Sequence, residues 1–454
     1  MRRAVLVLAL LAPLNSPGLI TNNLVADWQA GAGGTISNGR ISAWTDQHQL
    51  LNNDGLGPHV LTQTNAPFQP YDVFDAHRYH GVMFPWGVAS SHPHTFLNLP
   101  PSLSAFDTTN TTVYIVSTGV GEQENQSLIW FGGMTAGWLR FAQQNQLPAG
   151  LFLGTQGSAI FPAVNRCVFV ASGGPTASTL RWNNVMQTNA PQPRLITTNG
   201  GMLAANNSTE YYSGVVYRIL IYKTAHSSAE MGAQVSELAS TYGVLTNYTR
   251  QVVCRGASTV QGQNSTMLQS FPFQLWQRYP EILWRTMGLG AGQNGQIGTN
   301  GIAASMYGSD TNFVDSLYDS KFQENWLFVI AGINDINTGG LNGVQTYGRL
   351  TNYVAARKAV RPWKVVVSTI QSDTLQPATN ADYNLRIRSQ PGGWDRYVDP
   401  GVNSPIETRL NNPADPKYFA GDGVHLTNLG YGVLAEHFGQ VINVPRRSMG
   451  FFGP

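Results

Sequence analysis

Residues 251–258 have the sequence QVVCRGAS, an apolar run of the buried type followed by a turn of small residues. Segments of helical character separate it from three later apolar runs, which are ILWRTMGLG (282–290), ENWLFVIAG (324–332) and WKVVVSTI (363–370). Apolar strands that alternate with helices are typical of a parallel sheet covered on both faces. We therefore predict an α/β/α three-layer domain over residues 250–446, with its chemistry at the carboxyl ends of the strands.

The preceding part of the chain, residues 24–246, follows a different pattern. Short runs of β-branched and aromatic residues are broken by Gly, Pro and Asn, as in TTVYIVST (111–118), with almost no helical periodicity before Ser227. This pattern predicts an all-β sandwich of antiparallel strands. It closes with an amphipathic helix that we expect to begin at Ser227 or Ser228 and to end at Gly243. A length of 454 residues fits these two domains.

The composition is polar but almost uncharged. Charged residues make up 11% of the chain, and 27 Lys and Arg are balanced by 25 Asp and Glu without any basic run. Nothing in this balance predicts binding to nucleic acid or to an anionic membrane through counterion release. Neutral partners such as glycans fit the composition better.

The two cysteines, Cys167 and Cys254, exclude a disulfide-built scaffold and a four-cysteine zinc site. Each lies within an apolar run, so we expect two small buried side chains, with a bridge between them as the alternative. His92 and His94 are close together but have no carboxylate or cysteine cluster beside them. The sequence therefore predicts neither a metal site nor a cofactor.

Residues 1–20 resemble a secretory signal peptide. Arg2 and Arg3 precede an apolar stretch from Ala4 to Leu14 that is too short to span a bilayer. The alternative is an apolar segment that stays in the protein and packs at its N-terminus. The first interpretation predicts a secreted protein, and a location on the surface of a phage or virus particle is the alternative.

Four short motifs carry the candidate chemistry: GAST (256–259), GLGAGQNG (288–295), GIND (332–335) and DGVH (422–425). Ester hydrolysis needs a nucleophile, a base, a group that orients the base, and donors for the oxyanion. Ser258 directly follows a strand, and one short segment supplies both His425 and Asp422. Asn334 also follows a strand, where its amide can donate to an oxyanion.

The order and placement of these motifs resemble the SGNH (GDSL-type) serine hydrolases over residues 251–442. The resemblance implies Ser258 as nucleophile, His425 as base and Asp422 as the residue that orients it. It also implies an oxyanion hole formed by the Ser258 backbone N–H, Gly292 and Asn334, with Gly290 as the alternative glycine. The first motif departs from the family's Gly-Asp-Ser, because Ala257 stands where the Asp is expected.

The ends of the β-rich region resemble concanavalin A-like (laminin-G-type) jelly-roll domains. The resemblance is carried by VADWQAGAGG (25–34), GRISAWTDQ (39–47) and the closing strand and helix. It implies that tryptophans could stack on sugar rings, although packing in the core is the stronger interpretation; these residues are Trp28, Trp44, Trp86, Trp130, Trp138 and Trp182.

Together the two resemblances imply a serine esterase that removes acyl groups, in particular O-acetyl groups, from a polysaccharide, with a lectin-like accessory domain. The alternative is a non-catalytic adhesion or virion-surface protein in which both domains bind glycans. Either protein could assemble into a larger surface or virion structure.

Overall fold

The computed structural model describes residues 19–47, 59–84, 95–100, 110–118, 125–130, 139–142, 150–153, 156–157, 163–173, 177–189, 202–206, 210–212, 214–265, 269–288, 295–299 and 305–442. Apart from Leu19 and Ile20, the signal-like segment lies outside these residues. In the part of the chain that is described, no helix is long and apolar enough to cross a membrane.

The N-terminal half is built from antiparallel strands. Seventeen of the strands described there form one hydrogen-bonded network, and two short ones pair separately. The strands are β1 Leu24–Gln29, β2 Gly34–Ser37, β3 Arg40–Thr45, β4 Val60–Thr62, β5 Tyr71–Phe74, β6 His80–Phe84, β7 Leu97–Asn98, β8 Thr111–Thr118, β9 Asn125–Trp130, β10 Leu139–Ala142, β11 Gly150–Leu153, β12 Gln156–Gly157, β13 Arg166–Gly173, β14 Ser178–Trp182, β15 Val185–Asn189, β16 Met202–Leu203, β17 Ala205–Asn206, β18 Glu210–Tyr211 and β19 Gly214–Tyr222.

Strand β19 separates two apolar cores, because alternate side chains of a strand point to opposite faces. Ile219 and Ile221 contribute to one core, which also contains Trp28 and Trp44. Leu220 contributes to the other core, on the opposite face. The antiparallel all-β character predicted for this half is confirmed.

Helix α1 (Ser228–Thr241) covers the second of these cores. Ser227 is its N-cap and forms a capping box with Glu230, a pairing that satisfies two otherwise free backbone donors. The helix therefore begins where the sequence predicted.

The tryptophans that can be assessed lie in the core. Trp28, Trp44 and Trp182 are all buried, which confirms the core interpretation for these three. Trp86, Trp138 and the side chain of Trp130 lie outside the described residues.

The C-terminal half contains a five-stranded parallel sheet in the order β21-β20-β22-β23-β24. Its strands are β20 Arg250–Gly256, β21 Leu283–Gly288, β22 Glu324–Ile330, β23 Lys364–Ser368 and β24 Arg396–Val398. The helices are α2 Ser258–Gln261, α3 Phe271–Arg278, α4 Met306–Ser309, α5 Ile333–Asn337, α6 Gly343–Val360, α7 Pro377–Ser389 and α8 Asn428–Val441.

Helices pack on both faces of this sheet. Side chains from α3 and α8 share one core with Val252 and Cys254 of β20. Side chains from α6 and α7 share the other core with Val253. The parallel sheet with helices predicted from residue 250 onward is thus confirmed, and four of its five strands coincide with the apolar runs of the sequence.

Both cysteines are free and buried. Cys167 lies on β13 of the antiparallel region and Cys254 on β20 of the parallel sheet. Burial raises the pKa of each thiol well above its usual value. The expectation of two small buried side chains is confirmed.

The antiparallel region contacts the parallel sheet along the edge strand β21. The backbone N–H of Val164 donates to the Trp284 carbonyl at 2.8 Å. Asn165 continues this pairing with its side chain, since its Oδ1 accepts the Trp284 N–H and its Nδ2 donates to the Ile282 carbonyl, both at 2.8 Å. The Asn165 side-chain amide thus pairs with backbone groups at the outer edge of the sheet, as a neighbouring strand would.

Candidate active site

The nucleophile segment begins where β20 ends. A Cβ atom on Gly256 would lie 2.1 Å from the carbonyl oxygen of Ile330 on β22, so only glycine allows the two strand ends to approach this closely. Ala257 is extended, and α2 begins at Ser258. The Ser258 side chain is almost completely buried, at 5% exposure, and its position is fixed by the end of the sheet.

Ser258, His425 and Asp422 form a continuous hydrogen-bonded chain. Ser258 Oγ lies 2.8 Å from His425 Nε2, and His425 Nδ1 lies 2.6 Å from Asp422 Oδ2. A carboxylate can only accept, so Nδ1 carries the proton and Nε2 is free to accept the Ser258 hydroxyl. The structure therefore brings together the three residues predicted as nucleophile, base and orienting acid, in the geometry of a serine hydrolase triad.

The Asp422 carboxylate is held in its ionised form by its own loop. Its Oδ1 accepts the backbone N–H groups of Val424 at 3.0 Å and His425 at 2.9 Å. Partial burial raises the pKa of Asp422, but these hydrogen bonds and the His425 side chain outweigh burial and lower it below its usual value. The carboxylate is consequently charged over the pH range in which an imidazole acts as a base.

Asn334 lies beyond the same end of the sheet as the nucleophile, because Ile330 at the end of β22 pairs with Gly256 at the end of β20. It lies in α5, which follows β22. Its Nδ2 is buried and has no hydrogen-bond partner among the residues that the structure describes. A buried donor without a partner is costly in a folded protein and calls for a functional explanation.

The next residue, Asp335, turns inward and holds the loop after the second motif. Its carboxylate accepts the N–H groups of Ile297 at 2.8 Å and Gly298 at 3.3 Å, and Arg349 donates to it at 2.9 Å. Burial raises the pKa of Asp335 despite these donors. Asp335 thus anchors the loop, while the Asn334 side-chain donor has no partner among the described residues.

The glycine of the oxyanion hole is not located by the structure. Gly292 and its alternative Gly290 both lie outside the described residues. Gly288, at the end of β21, pairs with Gly256 beside the nucleophile. The second motif therefore starts at the correct edge of the sheet, and the choice between the two glycines stays a prediction.

A buried ion pair lies beneath the nucleophile. Arg255 Nε lies 3.0 and 2.8 Å from the two carboxylate oxygens of Asp310, and its Nη1 donates to the Met287 carbonyl at 2.9 Å. The Tyr353 hydroxyl donates to Asp310 at 2.6 Å. Burial lowers the pKa of Arg255, but Asp310 outweighs this effect and the net pKa is raised. The guanidinium therefore stays charged and joins the ends of β20 and β21.

Two residues at the site had no signal in the sequence. Asn264 Nδ2 donates to Asp422 Oδ2 at 2.7 Å. Gln371 Nε2 lies 3.3 Å from Thr259 Oγ1 and 3.2 Å from the Val424 carbonyl, so it links the nucleophile segment to the histidine loop. Both contacts join residues far apart in the chain, and only the folded sheet brings them together.

No cluster of three or more His, Cys, Asp or Glu side chains suited to a metal ion occurs among the described residues. His92 and His94 lie outside them. His80, which is described, lies 2.5 Å from Asp72 on the neighbouring strand.

In comparisons with known proteins, no protein-family profile and no curated protein matches the chain. Among solved structures it is similar to a carbohydrate esterase of family 3 from Talaromyces cellulolyticus, with 18% identity, a TM-score of 0.31, and coverage of 42% of this chain and 96% of that one. It is also similar to a Trypanosoma rangeli sialidase, with 11% identity, a TM-score of 0.30, and coverage of 49% and 34%.

A third similar structure is the binding domain of botulinum neurotoxin DC in complex with SialylT, at 9% identity and a TM-score of 0.33, with coverage of 51% of this chain and 53% of that one. At these TM-scores the similarities carry no functional argument. The function must be inferred from the geometry of the site.

Proposed function

We propose that this protein is a serine esterase of the SGNH type. One observation carries the proposal: Ser258 Oγ, the His425 imidazole and the Asp422 carboxylate are joined by hydrogen bonds of 2.8 and 2.6 Å. This geometry is what nucleophilic catalysis by serine requires.

The reaction proceeds in two steps. His425 Nε2 takes the proton of Ser258 as Oγ attacks the ester carbonyl carbon, and Asp422 stabilises the imidazolium that forms. The alcohol then leaves with the proton from His425, which yields an acyl-enzyme. His425 next deprotonates a water molecule, and attack of that water releases the carboxylic acid and restores Ser258. The Asn334 amide and the Ser258 backbone N–H are the proposed donors to the oxyanion, with Gly292 as the third.

The proposed substrate is an O-acetylated polysaccharide. The low charge of the chain, 11%, supports a neutral glycan, and the resemblance of its motifs to SGNH hydrolases supports an ester. The domains proposed are a concanavalin A-like jelly roll over residues 24–246, which positions the enzyme on a glycan, and an SGNH domain over 250–446. We place the protein outside the cell or on a particle surface.

The first test is hydrolysis of p-nitrophenyl acetate and of an acetylated polysaccharide by the wild type and Ser258→Ala. We expect the substitution to lower the turnover by at least about 10³-fold, because no other group replaces the nucleophile. Ser236→Ala is the matched control, since Ser236 is exposed on α1 and bonds only to the Gly232 carbonyl among the contacts described. Thermal unfolding establishes that all three proteins are folded.

Equal rates for the wild type and Ser258→Ala on both substrates would contradict the proposal. In that case the non-catalytic alternative gains support, and binding to a glycan array becomes the measurement that decides it.

A further inference from the structure

The Asp422 carboxylate accepts four hydrogen bonds, and one of them comes from outside its own loop. Oδ1 accepts two backbone N–H groups, and Oδ2 faces His425 Nδ1 at 2.6 Å. The fourth donor is Asn264 Nδ2, which lies 2.7 Å from the same Oδ2 atom. Every strong acceptor position of the carboxylate is thereby occupied.

The orientation of the Asn264 amide follows from chemistry. Its other terminal atom is a carbonyl oxygen, which would repel a carboxylate oxygen at 2.7 Å, whereas the NH₂ group is attracted to it. The side chain therefore has a single favourable orientation at this position.

The backbone that carries Asn264 is a rigid extension of the nucleophile segment. The N–H groups of Gly262 and Gln263 both donate to the Ser258 carbonyl, at 2.9 and 3.0 Å. Asn264 itself has a φ of +67°, in the left-handed region that most residues avoid and that Asn tolerates best after glycine. Tyr431 of α8 donates to the Gln263 carbonyl at 2.7 Å. The turn is therefore held from two sides.

Asp422 needs such an external contact. Its side chain is 40% exposed, so water competes for Oδ2 and the carboxylate could rotate away from His425. Asn264 occupies the position that water would take, and it is fixed to the same segment as Ser258. One amide thus sets the distance between the acid and the nucleophile.

We propose that Asn264 is a positioning residue of the triad, which holds the Asp422 carboxylate against His425 and so keeps the imidazole oriented toward Ser258. The inference rests on the proposed esterase function. The titratable groups on the segments packed around this contact are His425 on the Asp422 loop, Tyr431 in the first turn of α8, Asp373 beside Thr374, which packs on Gly423, and Asp415, Lys417 and Tyr418 on the segment that pairs with residues 425–427. The nucleophile segment, residues 257–265, contributes none.

The first variant is Asn264→Gly. Glycine favours a positive φ, so this change removes the amide without straining the turn. We expect kcat to fall about three- to thirtyfold with little change in KM, because the loss of a hydrogen bond to a charged group affects the orientation of the base and not substrate binding.

The second variant is Asn264→Asp, which places a second carboxylate beside Asp422. The side chains of residues 264 and 422 lie 2.7 Å apart, and two carboxylates at this distance cannot both stay ionised without moving apart, so the contact that holds Asp422 is weakened. We expect kcat at neutral pH to fall at least as far as in Asn264→Gly, with little change in KM. A merely structural role would lower stability without this selective loss of kcat. Asn38→Asp is the matched control, because Asn38 also has a positive φ, +51°, but lies exposed in the β2–β3 turn of the antiparallel region.

The outcomes separate the two proposals. A lower kcat with little change in KM in both Asn264 variants, with Asn38→Asp unchanged, would support the positioning role. Wild-type kcat in both Asn264 variants, with Ser258→Ala inactive, would overturn the positioning role alone. Full activity of Ser258→Ala would overturn the esterase itself. Thermal unfolding of each variant shows whether a loss of activity reflects loss of the fold.

Discussion

At the scale of single residues, substitution of Asn334 separates an effect on catalysis from an effect on stability. The Nδ2 of Asn334 is buried without a partner among the described residues, so removing it takes a hydrogen bond from none of them. We predict that Asn334→Ala lowers kcat by about 10²- to 10³-fold, the usual loss for one oxyanion donor, without lowering stability. Kinetics with p-nitrophenyl acetate, together with thermal unfolding, measure both effects.

Asn342→Ala is the converse control for this prediction. Asn342 is the N-cap of α6 and accepts the Gln345 N–H at 2.9 Å. Its loss should cost about 1 kcal/mol of stability and leave kcat unchanged. A destabilised Asn334→Ala protein with wild-type kcat would show that Asn334 has a structural role.

The sequence predicted the reacting residues better than the residues that position them. Ser258, His425 and Asp422 lie in short motifs whose residue types reflect the chemistry itself. Asn264 meets Asp422 only because its backbone adopts a positive φ and the chain returns 158 residues later. No local pattern encodes such a contact.

At the scale of elements, the loop around Glu407 fixes helix α8 at the end remote from His425. Glu407 is buried and binds Arg409 through both carboxylate oxygens, and His437 of α8 lies 3.0 Å from it. Burial raises the pKa of Glu407, but these donors outweigh it and lower the pKa to about 2. The ionised carboxylate therefore stabilises the fold when the pH is above the pKa that Glu407 has in the unfolded chain. This contribution is lost as the pH falls toward 2.

We predict that Glu407→Gln lowers the free energy of unfolding at pH 7 by about 1–3 kcal/mol. The difference from the wild type should shrink as the pH falls below about 4.5, the region in which the unfolded chain takes up the proton. Urea unfolding at several pH values measures this difference in the free energy of unfolding. Glu237→Gln on α1 is the control for the loss of one negative charge. A difference that is constant with pH would contradict the assignment.

Elements were predictable where burial determines them. The runs at 251–256 and 363–370 are apolar because both faces of their strands are covered, and the structure places β20 and β23 there. The short strand β24 was not predicted, because Arg396 and Tyr397 are exposed and its three residues show no periodicity. The pairing order of the sheet depends on the path of the chain and not on any one strand.

At the scale of the whole molecule, Asn165 joins the antiparallel region to the parallel sheet. It is buried, and the two ends of its amide bond to the backbone of Trp284 on β21 and of Ile282 just before it. We predict that Asn165→Ala lowers the free energy of unfolding by about 2–4 kcal/mol, because it leaves the Trp284 N–H and the Ile282 carbonyl without their partner.

We expect the two regions of the wild type to unfold in one transition, since they share this pairing. Hydrogen exchange of β13 and β22 under increasing urea tests this single transition. The amides of the two strands should lose protection at the same urea concentration. Asn183→Ala is a useful comparison, because the Asn183 side chain accepts the Val168 N–H within the antiparallel region alone. Separate transitions in the wild type would contradict the prediction.

The contact between the two regions was beyond prediction from the sequence. Asn165 precedes a strand and resembles many turn residues. Its contribution to stability comes from hydrogen bonds to an edge strand 119 residues away. Domain limits can be predicted from a change of pattern, whereas a docking surface depends on three-dimensional shape.

The position of Asn264 also has a consequence for how this protein can be made. Asn264, Ser265 and Thr266 form an acceptor sequence for N-linked oligosaccharides. The sugar would be attached to the same Nδ2 atom that faces Asp422. A eukaryotic secretory host that modifies this site would therefore yield folded chains with a bulky glycan against the triad, whereas a bacterial host would yield the unmodified amide.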